Sequence, residues 1–317
     1  MRLPTLSPQR YAQVTLVTLI ALTLIVLTGA GVRLTGSGLG CPDWPKCYGQ
    51  AVAPLETHAL IEYGNRLLSG FVGLIVVAAA VLAWRRRPRR RDLLVLSALP
   101  VLGVIGQAGL GALTVKHHLA PGFVMGHYVL SMVLLDATVA LTWRAHHEPG
   151  DRPRSSDRLG VWATRALLPL GSFTILVGTA ATAAGPHAGG AGTGDVINRL
   201  DVRGADTLDW MIHQHGRLAA VLGVFAVGLW WLLRRRGAEP QHRLAVGVVC
   251  ALLALQGLVG ITQYALALPA GLVWIHVTLA ALTWLAILWA VAAAGFLVPR
   301  TQTARADERP LVGAAAR

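Results

Sequence analysis

Eight apolar stretches, separated by polar segments, run along this chain near residues 11–33, 58–84, 93–115, 121–143, 160–184, 208–233, 243–267 and 270–297. A helix needs about 20 residues to cross a bilayer. Backbone surrounded by lipid must satisfy its own hydrogen bonds, which favours helices. The pattern therefore predicts an all-α integral membrane protein with eight transmembrane helices. The first stretch is too long for a signal-peptide core. It runs into a Gly-rich loop rather than a cleavage site, and so reads as a span.

A repeat organises these spans. Shifting the chain by 149 positions places Gly29 on Gly178, Gly36 on Gly185, Gln107 on Gln256, Gly111 on Gly260 and His127 on His276. A fixed offset of this kind marks an internal duplication. It predicts two pseudo-symmetric four-helix bundles, residues 11–143 and 160–298, joined by a polar linker at 144–159. An even number of spans per half inserts both halves in the same direction, as parallel repeats. Two loops on one side are long, Leu34 to Thr57 and Pro186 to Thr207, and read as binding loops or lids.

Composition agrees and orients the bundle. The chain is 54% hydrophobic and 14% charged, which excludes an ordinary soluble domain. Its net charge of +13 raises the possibility of a nucleic-acid partner, but the arginines fall in the wrong places for one. Arg85 to Arg91, Arg144 to Arg158, Arg234 to Arg236 and both tails lie on one side of an eight-span topology. The other side carries only Arg33, Lys46, Lys116, Arg199 and Arg203. The positive-inside rule then puts both termini in the cytoplasm of a multi-pass plasma-membrane protein, with the arginines facing lipid headgroups. Trp84, Trp143, Trp162, Trp230 and Trp231 form the matching aromatic belt. Cys41 and Cys47, in the first outer loop, face an oxidising compartment and suit either a loop staple or a redox-active pair. Cys250 stands alone in the seventh span and reads as a core residue.

Ionisable residues inside spans need an explanation, since each costs about 2.5–3.5 kcal/mol at a helix centre. His58, Glu62 and Arg66 share one face of the second span at spacings of four. His127 and His276 lie about two turns into the fourth and eighth spans, and the sixth opens with His213-Gln214-His215-Gly216-Arg217. A single membrane histidine is often only a satisfied polar group between helices. Several at matched depth can instead offer two imidazoles to opposite faces of a heme iron, a cofactor that bundle interiors commonly hold. Asp136, deep in the fourth span, has no role in this pattern. Glu62 with Arg66 reads either as a helix-stabilising ion pair or as a carboxylate that moves a proton.

The segment Ile61-Glu62-Tyr63-Gly64-Asn65-Arg66-Leu67 resembles the E-Y-x-H-R signature of heme A synthases. The loop Leu34-Thr35-Gly36-Ser37-Gly38 with Cys41 and Cys47 is similar to that family's first outer loop. Gly185 to Gly189, Gln256 to Tyr264 and His276 fit as well, so the resemblance covers all eight spans. It implies oxidation of the C8 methyl of heme O to a formyl group, making heme A for terminal oxidases. It also implies a substrate heme in the N-terminal half and a heme B in the C-terminal half. His127 would face the substrate, and His215 with His276 would ligate heme B. Glu62 would be the essential carboxylate, and Arg66 and Arg217 would contact the cofactors. Cys41 with Cys47 would be the outer-loop disulfide. A heme O synthase and an electron donor or acceptor would be partners.

Asn65 departs from the signature by standing where a histidine is expected. His127 then serves as sole ligand of the first site, or His58 supplies the second. In the sixth span His215 needs a one-residue shift to take the ligand position, and His213 points elsewhere. His117, His118 and His187 remain candidates for propionate or entry contacts. Two other classes compete: a diheme, cytochrome b-like electron-transfer protein without catalysis, and a transporter. The transporter is disfavoured because the ionisable groups gather near one face and no span is broken by a proline.

Overall fold

The computed structural model describes residues 5–190 and 192–299. Eight helices long and apolar enough to cross a membrane dominate it. They are α1 (Pro8–Leu34), α2 (Thr57–Arg85), α3 (Arg91–Lys116) and α4 (Pro121–His146), then α5 (Arg158–Ala184), α6 (Thr207–Arg235), α7 (Pro240–Ala265) and α8 (Ala270–Ala294). Each matches an expected span to within a few residues. The starts reflect local chemistry. Ser7 caps α1 by accepting from the Arg10 N–H, and Pro8, Pro121 and Pro240 sit in first turns, where no intrahelical N–H is needed. Pro100 and Pro169 lie inside α3 and α5, and both helices continue through them.

Within residues 8–146 the helices pack in a ring, α1 on α2, α2 on α3, α3 on α4 and α4 back on α1. Helices α5 to α8 close a second ring in the same order. Helices α1 and α4 of one ring meet α8 of the other, and α4 also meets α5. Thus α2 faces α4, and α6 faces α8, across a diagonal. One apolar core runs through both rings and across the seam where they join. Leu135, Leu167, Trp284 and Ile287 are buried there, and Cys250 packs half-buried against this cluster.

A local detail repeats at the same offset. The turn between α3 and α4 places His118 and Leu119 at φ of 48° and 57°, and the turn between α7 and α8 places Ala267 and Leu268 at 60° and 62°. The Leu119 N–H bonds the Thr114 carbonyl at 2.9 Å, and the Leu268 N–H bonds the Gln263 carbonyl at 2.7 Å. Side chains at positive φ are disfavoured. Two such residues in each turn therefore mark a backbone that both copies keep.

The arginine-rich end is closed by ion pairs. Arg86 is fully buried on Glu148, Arg90 and Arg152 bind Asp92, and Arg236 binds Asp157 at 2.7 Å. Arg236 also holds the Asp157 carboxyl below its usual value. Residues 154–155 pair as a short parallel ladder with 296–297, tying the linker to the end of α8. Trp162, Trp230 and Trp231 each lie under an arginine guanidinium at this level.

Asp136 finds its reason here. It accepts a 2.7 Å hydrogen bond from Nε1 of Trp284, a ring that is only 3% exposed, so one polar contact joins α4 to α8 within the apolar core. An unsatisfied buried polar group costs about 1–3 kcal/mol, whereas replacing both partners with apolar groups is nearly neutral. Trp284→Phe should lower the thermal unfolding midpoint in detergent, and adding Asp136→Leu should recover most of the loss. If the double variant is no more stable than the single, the bond does not carry this contact.

Candidate functional site

His215 on α6 and His276 on α8 meet across the diagonal of the second ring. Their ring centroids are 6.1 Å apart and their planes lie at 72°. His215 Nδ1 lies 3.0 Å from the Thr174 carbonyl. A carbonyl only accepts, so Nδ1 carries the hydrogen and Nε2 is left with its lone pair. Neighbouring helices make room for both rings with glycine. A Cβ on Gly178 would stand 2.8 Å from His215 Cε1, and one on Gly260 would stand 3.2 Å from His276 Cε1. Gln256 Nε2 donates to the His276 carbonyl at 3.1 Å. His276 Nδ1 and Gln256 Oε1 are buried without a hydrogen-bond partner.

Half of this frame recurs in the first ring. Gln107 Nε2 donates to the His127 carbonyl at 3.1 Å, and a Cβ on Gly111 would lie 3.6 Å from His127 Cε1. His127 Nδ1 and Gln107 Oε1 are again buried and unpartnered. The other half differs. Asn65 occupies the place of His215, since the nearest atom to a Cβ on Gly29, the counterpart of Gly178, is Asn65 Nδ2 at 4.0 Å. The Asn65 amide oxygen accepts from Thr28 Oγ1 at 2.8 Å, which ties it to α1. The second ring therefore presents two imidazoles and the first an imidazole and an amide.

The second pair fits an axially ligated metal. Two metal–nitrogen bonds of about 2 Å and the inner halves of two imidazole rings together span roughly 6 Å. The orphaned polar atoms of both rings and the glycine clearances are further signs of a site built around its histidines. His213 faces away, exposed at 53%, with Nδ1 bonded to the Asp209 carbonyl at 2.8 Å and its ring edge-on to Tyr264. His58 lies under the outer loops, with Nδ1 2.8 Å from Ser37 Oγ and its ring against Gly192.

The face formed by His58, Glu62 and Arg66 confronts the first outer loop. Cys41 and Cys47 form a disulfide, and both are fully buried. Glu62, 6% exposed, accepts the Cys41 N–H on Oε2 at 2.8 Å and pairs through Oε1 with Arg66 at 2.6 Å. Arg66 also donates to the carbonyls of Cys41, Asp43 and Lys46 at 3.0, 2.8 and 2.9 Å. With two bonds to Glu62, its five N–H groups are all engaged within the protein. The structure thus gives Arg66 loop partners, a role that its sequence position did not reveal because the loop closes on it only in three dimensions. Gly40 presses so closely on the His58 backbone that no side chain fits there. Asp43 finishes the loop by accepting from the Tyr48 and Gly49 N–H groups, both at 2.7 Å. The Gly49 bond is the main cause that holds its carboxyl below the usual value.

The two long outer loops are tied together. The Gly38 N–H donates to Gly189 at 2.8 Å and the Gly192 N–H to Gly36 at 3.2 Å. Arg33 reaches from α1 to the carbonyls of His187 and Thr182. His187 Nε2 lies 2.8 Å from the Leu268 carbonyl, and His117 stacks on Phe123 at 4.6 Å, so both are engaged, whereas His118 is exposed in its turn. Arg217 is exposed, with one long contact to Gln214.

These features define a multi-pass helical membrane protein with two neighbouring imidazoles inside one ring and an imidazole and an amide inside the other. A family model described as COX15-CtaA, cytochrome oxidase assembly protein, matches residues 12–60 and 55–288, and the chain belongs to this family. It is 35% identical over 130 residues to the heme A synthase of Alkalihalophilus pseudofirmus, covering 40% of this chain and 43% of that protein. The heme A synthase of Bacillus licheniformis is 32% identical over 128 residues, 40% of this chain and 42% of the relative. A protoheme IX farnesyltransferase of Halobacterium salinarum is 38% identical over 136 residues, 41% of this chain and 29% of that protein. The chain spans less than half the length of each of these relatives.

Glu62→Gln keeps the side-chain shape but removes the charge that Arg66 and the Cys41 N–H share. Amide hydrogen exchange at Cys41 to Lys46 should quicken while the helix amides stay protected. Unchanged exchange in the loop would mean that Glu62 does not hold it.

Proposed function

We propose that this protein is a membrane heme oxidase that converts the C8 methyl of heme O to a formyl group, producing heme A for terminal oxidases. The observation that carries this reading is the inequality of the two rings, two facing imidazoles in one and a single imidazole opposite an amide in the other. It is supported by membership of the family and by relatives named as heme A synthases.

In this reading residues 160–298 hold a resident heme B between His215 and His276. The Thr174 carbonyl fixes the His215 tautomer and Gln256 anchors the backbone of His276. When bound, heme B supplies one-electron redox chemistry. Residues 11–143 hold the substrate, with His127 on one face. Asn65, bonded to Thr28, puts no imidazole on the other, which leaves that side open for chemistry at the methyl group. Glu62 is the carboxylate of the first ring. Its pairing with Arg66 keeps it beside the disulfide loop, from which it can hold or pass a proton at Oε2. Arg217, exposed at the outer end of α6, is available to a propionate, whereas Arg66 acts on the site through the loop it anchors. Both termini and the 144–159 linker lie on the cytoplasmic side of the plasma membrane, as the arginine distribution indicates. A heme O synthase is the natural partner because it makes the substrate.

One measurement tests the reading. Expressed with a source of heme O, the protein should yield heme A or its hydroxylated precursor on mass analysis of extracted hemes. Recovery of unmodified hemes alone would leave the alternative of a diheme electron-transfer protein, which the Asn65 position makes the weaker choice.

The ligand assignment is tested separately. His215→Ala and His276→Ala should each abolish the low-spin heme B absorption spectrum, while His127→Ala and His58→Ala should preserve it. His58→Ala should also leave heme binding in the first ring largely intact. A low-spin spectrum that survives His276→Ala overturns the second-ring site, and first-ring heme lost with His58→Ala makes His58 a ligand.

A further inference from the structure

The turn between α2 and α3 displays cations that the fold does not neutralise. Arg86 and Arg90 turn inward to Glu148, Asp92 and the carbonyls of Pro88, Arg144 and His147. Leu6 pins the turn from the other side, its N–H on the Arg85 carbonyl and its carbonyl on the Arg87 N–H, both at 3.0 Å. The alternate arginines, Arg85, Arg87 and Arg89, are left along one wall of a groove between α2 and α3. Val77, Val81 and Val101 form the apolar part of that groove, with Trp84, 63% exposed, beside the arginines. Its volume is about 500 Å³, within the roughly 300–1,000 Å³ of ligand sites.

No carboxylate pairs with Arg85, Arg87 or Arg89 among the described residues. The corresponding turn of the second ring is different. There Arg236 binds Asp157 through two nitrogens, and Arg234 and Arg235 lie over Trp230 and Trp231. Arg85, Arg87 and Arg89 instead gather at the mouth of one groove above an apolar wall, with Arg87 held by the Trp84 and Arg86 carbonyls.

We propose that this groove is a binding site for an anionic phospholipid, with its phosphate on Arg85, Arg87 and Arg89 and an acyl chain along Val77, Val81 and Val101. Guanidinium groups bind phosphate oxygens in a bidentate, charge-assisted manner. Basic pockets between helices at the cytoplasmic surface are suited to acidic head groups, and a tryptophan at this level marks the headgroup boundary. A zwitterionic lipid would bring its own cation and leave the arginines uncompensated. A free phosphate would make no use of the valine wall. The site stands independently of the reaction proposed for the two rings.

Native mass spectrometry of the full chain in detergent tests it, with phosphatidylglycerol or phosphatidylcholine added in equal amounts. The protein should retain phosphatidylglycerol by about tenfold over phosphatidylcholine. The combined Arg85→Gln, Arg87→Gln and Arg89→Gln variant should lose that preference, and Arg234→Gln with Arg235→Gln should keep it. Val81→Trp fills the groove without touching the charges and should also weaken retention, which decides the matter if the triple variant fails to fold. Inorganic phosphate should not displace the lipid. Equal retention of the two lipids, a preference that survives both groove variants, or displacement by phosphate alone would overturn the proposal.

Discussion

An imidazole ring projecting into the middle of a four-helix ring needs space, and the opposing backbone must yield it. Gly178 and Gly260 do so for His215 and His276, whereas a Cβ at Gly111 would meet His127 only at an ordinary 3.6 Å. Interiors are packed too tightly for a ring and an extra methyl to share one place. The position of these glycines therefore decides where a histidine can point inward, and through that where a cofactor can be held. The asymmetry of the two rings lies in the residue beside the glycine and not in the glycine itself. Beside Gly29, the counterpart of Gly178, stands a shorter amide that bonds to α1 instead of reaching across the ring.

Around this interior the outer loops are fixed from below by a few donors with no freedom left. Arg66 uses every N–H it has on Glu62 and on three carbonyls of the disulfide loop. Arg33 crosses from the first ring to the loop after α5, and the glycine-to-glycine bonds join the two loops directly. The roof over one ring is thus held partly by residues of the other. A change in either loop reaches both interiors without passing through the membrane core.

The spans were legible in the sequence because hydropathy over about 20 residues is a strong signal, and the ends fell where proline, serine and arginine put them. At the 149-residue offset noted in the sequence, Gln107 and Gln256 each donate to the carbonyl of a histidine, His127 and His276. Helical angle separates His213 from His215, and in the structure His215 lies near His276 while His213 bonds the Asp209 carbonyl. Contacts made by folding back were not legible. No local pattern shows that Trp284 will meet Asp136, or that Arg66 will be saturated by carbonyls from twenty residues upstream, because side-chain donors and backbone acceptors leave no periodic trace.

The paired turns, with two left-handed residues each, bear on how the halves came to differ. The segments α3–turn–α4 and α7–turn–α8 share two positive-φ residues, a glutamine bonded to a histidine carbonyl and that histidine. What distinguishes the halves lies in the hairpins facing those segments, in Asn65 against His215 and in the disulfide loop that only the first hairpin carries. The segments also differ where they meet, since Asp136 of α4 accepts from Trp284 of α8 and neither residue has a like counterpart at the 149-residue offset. Two rings whose helices pack in the same order can thus line their interiors with different chemistry.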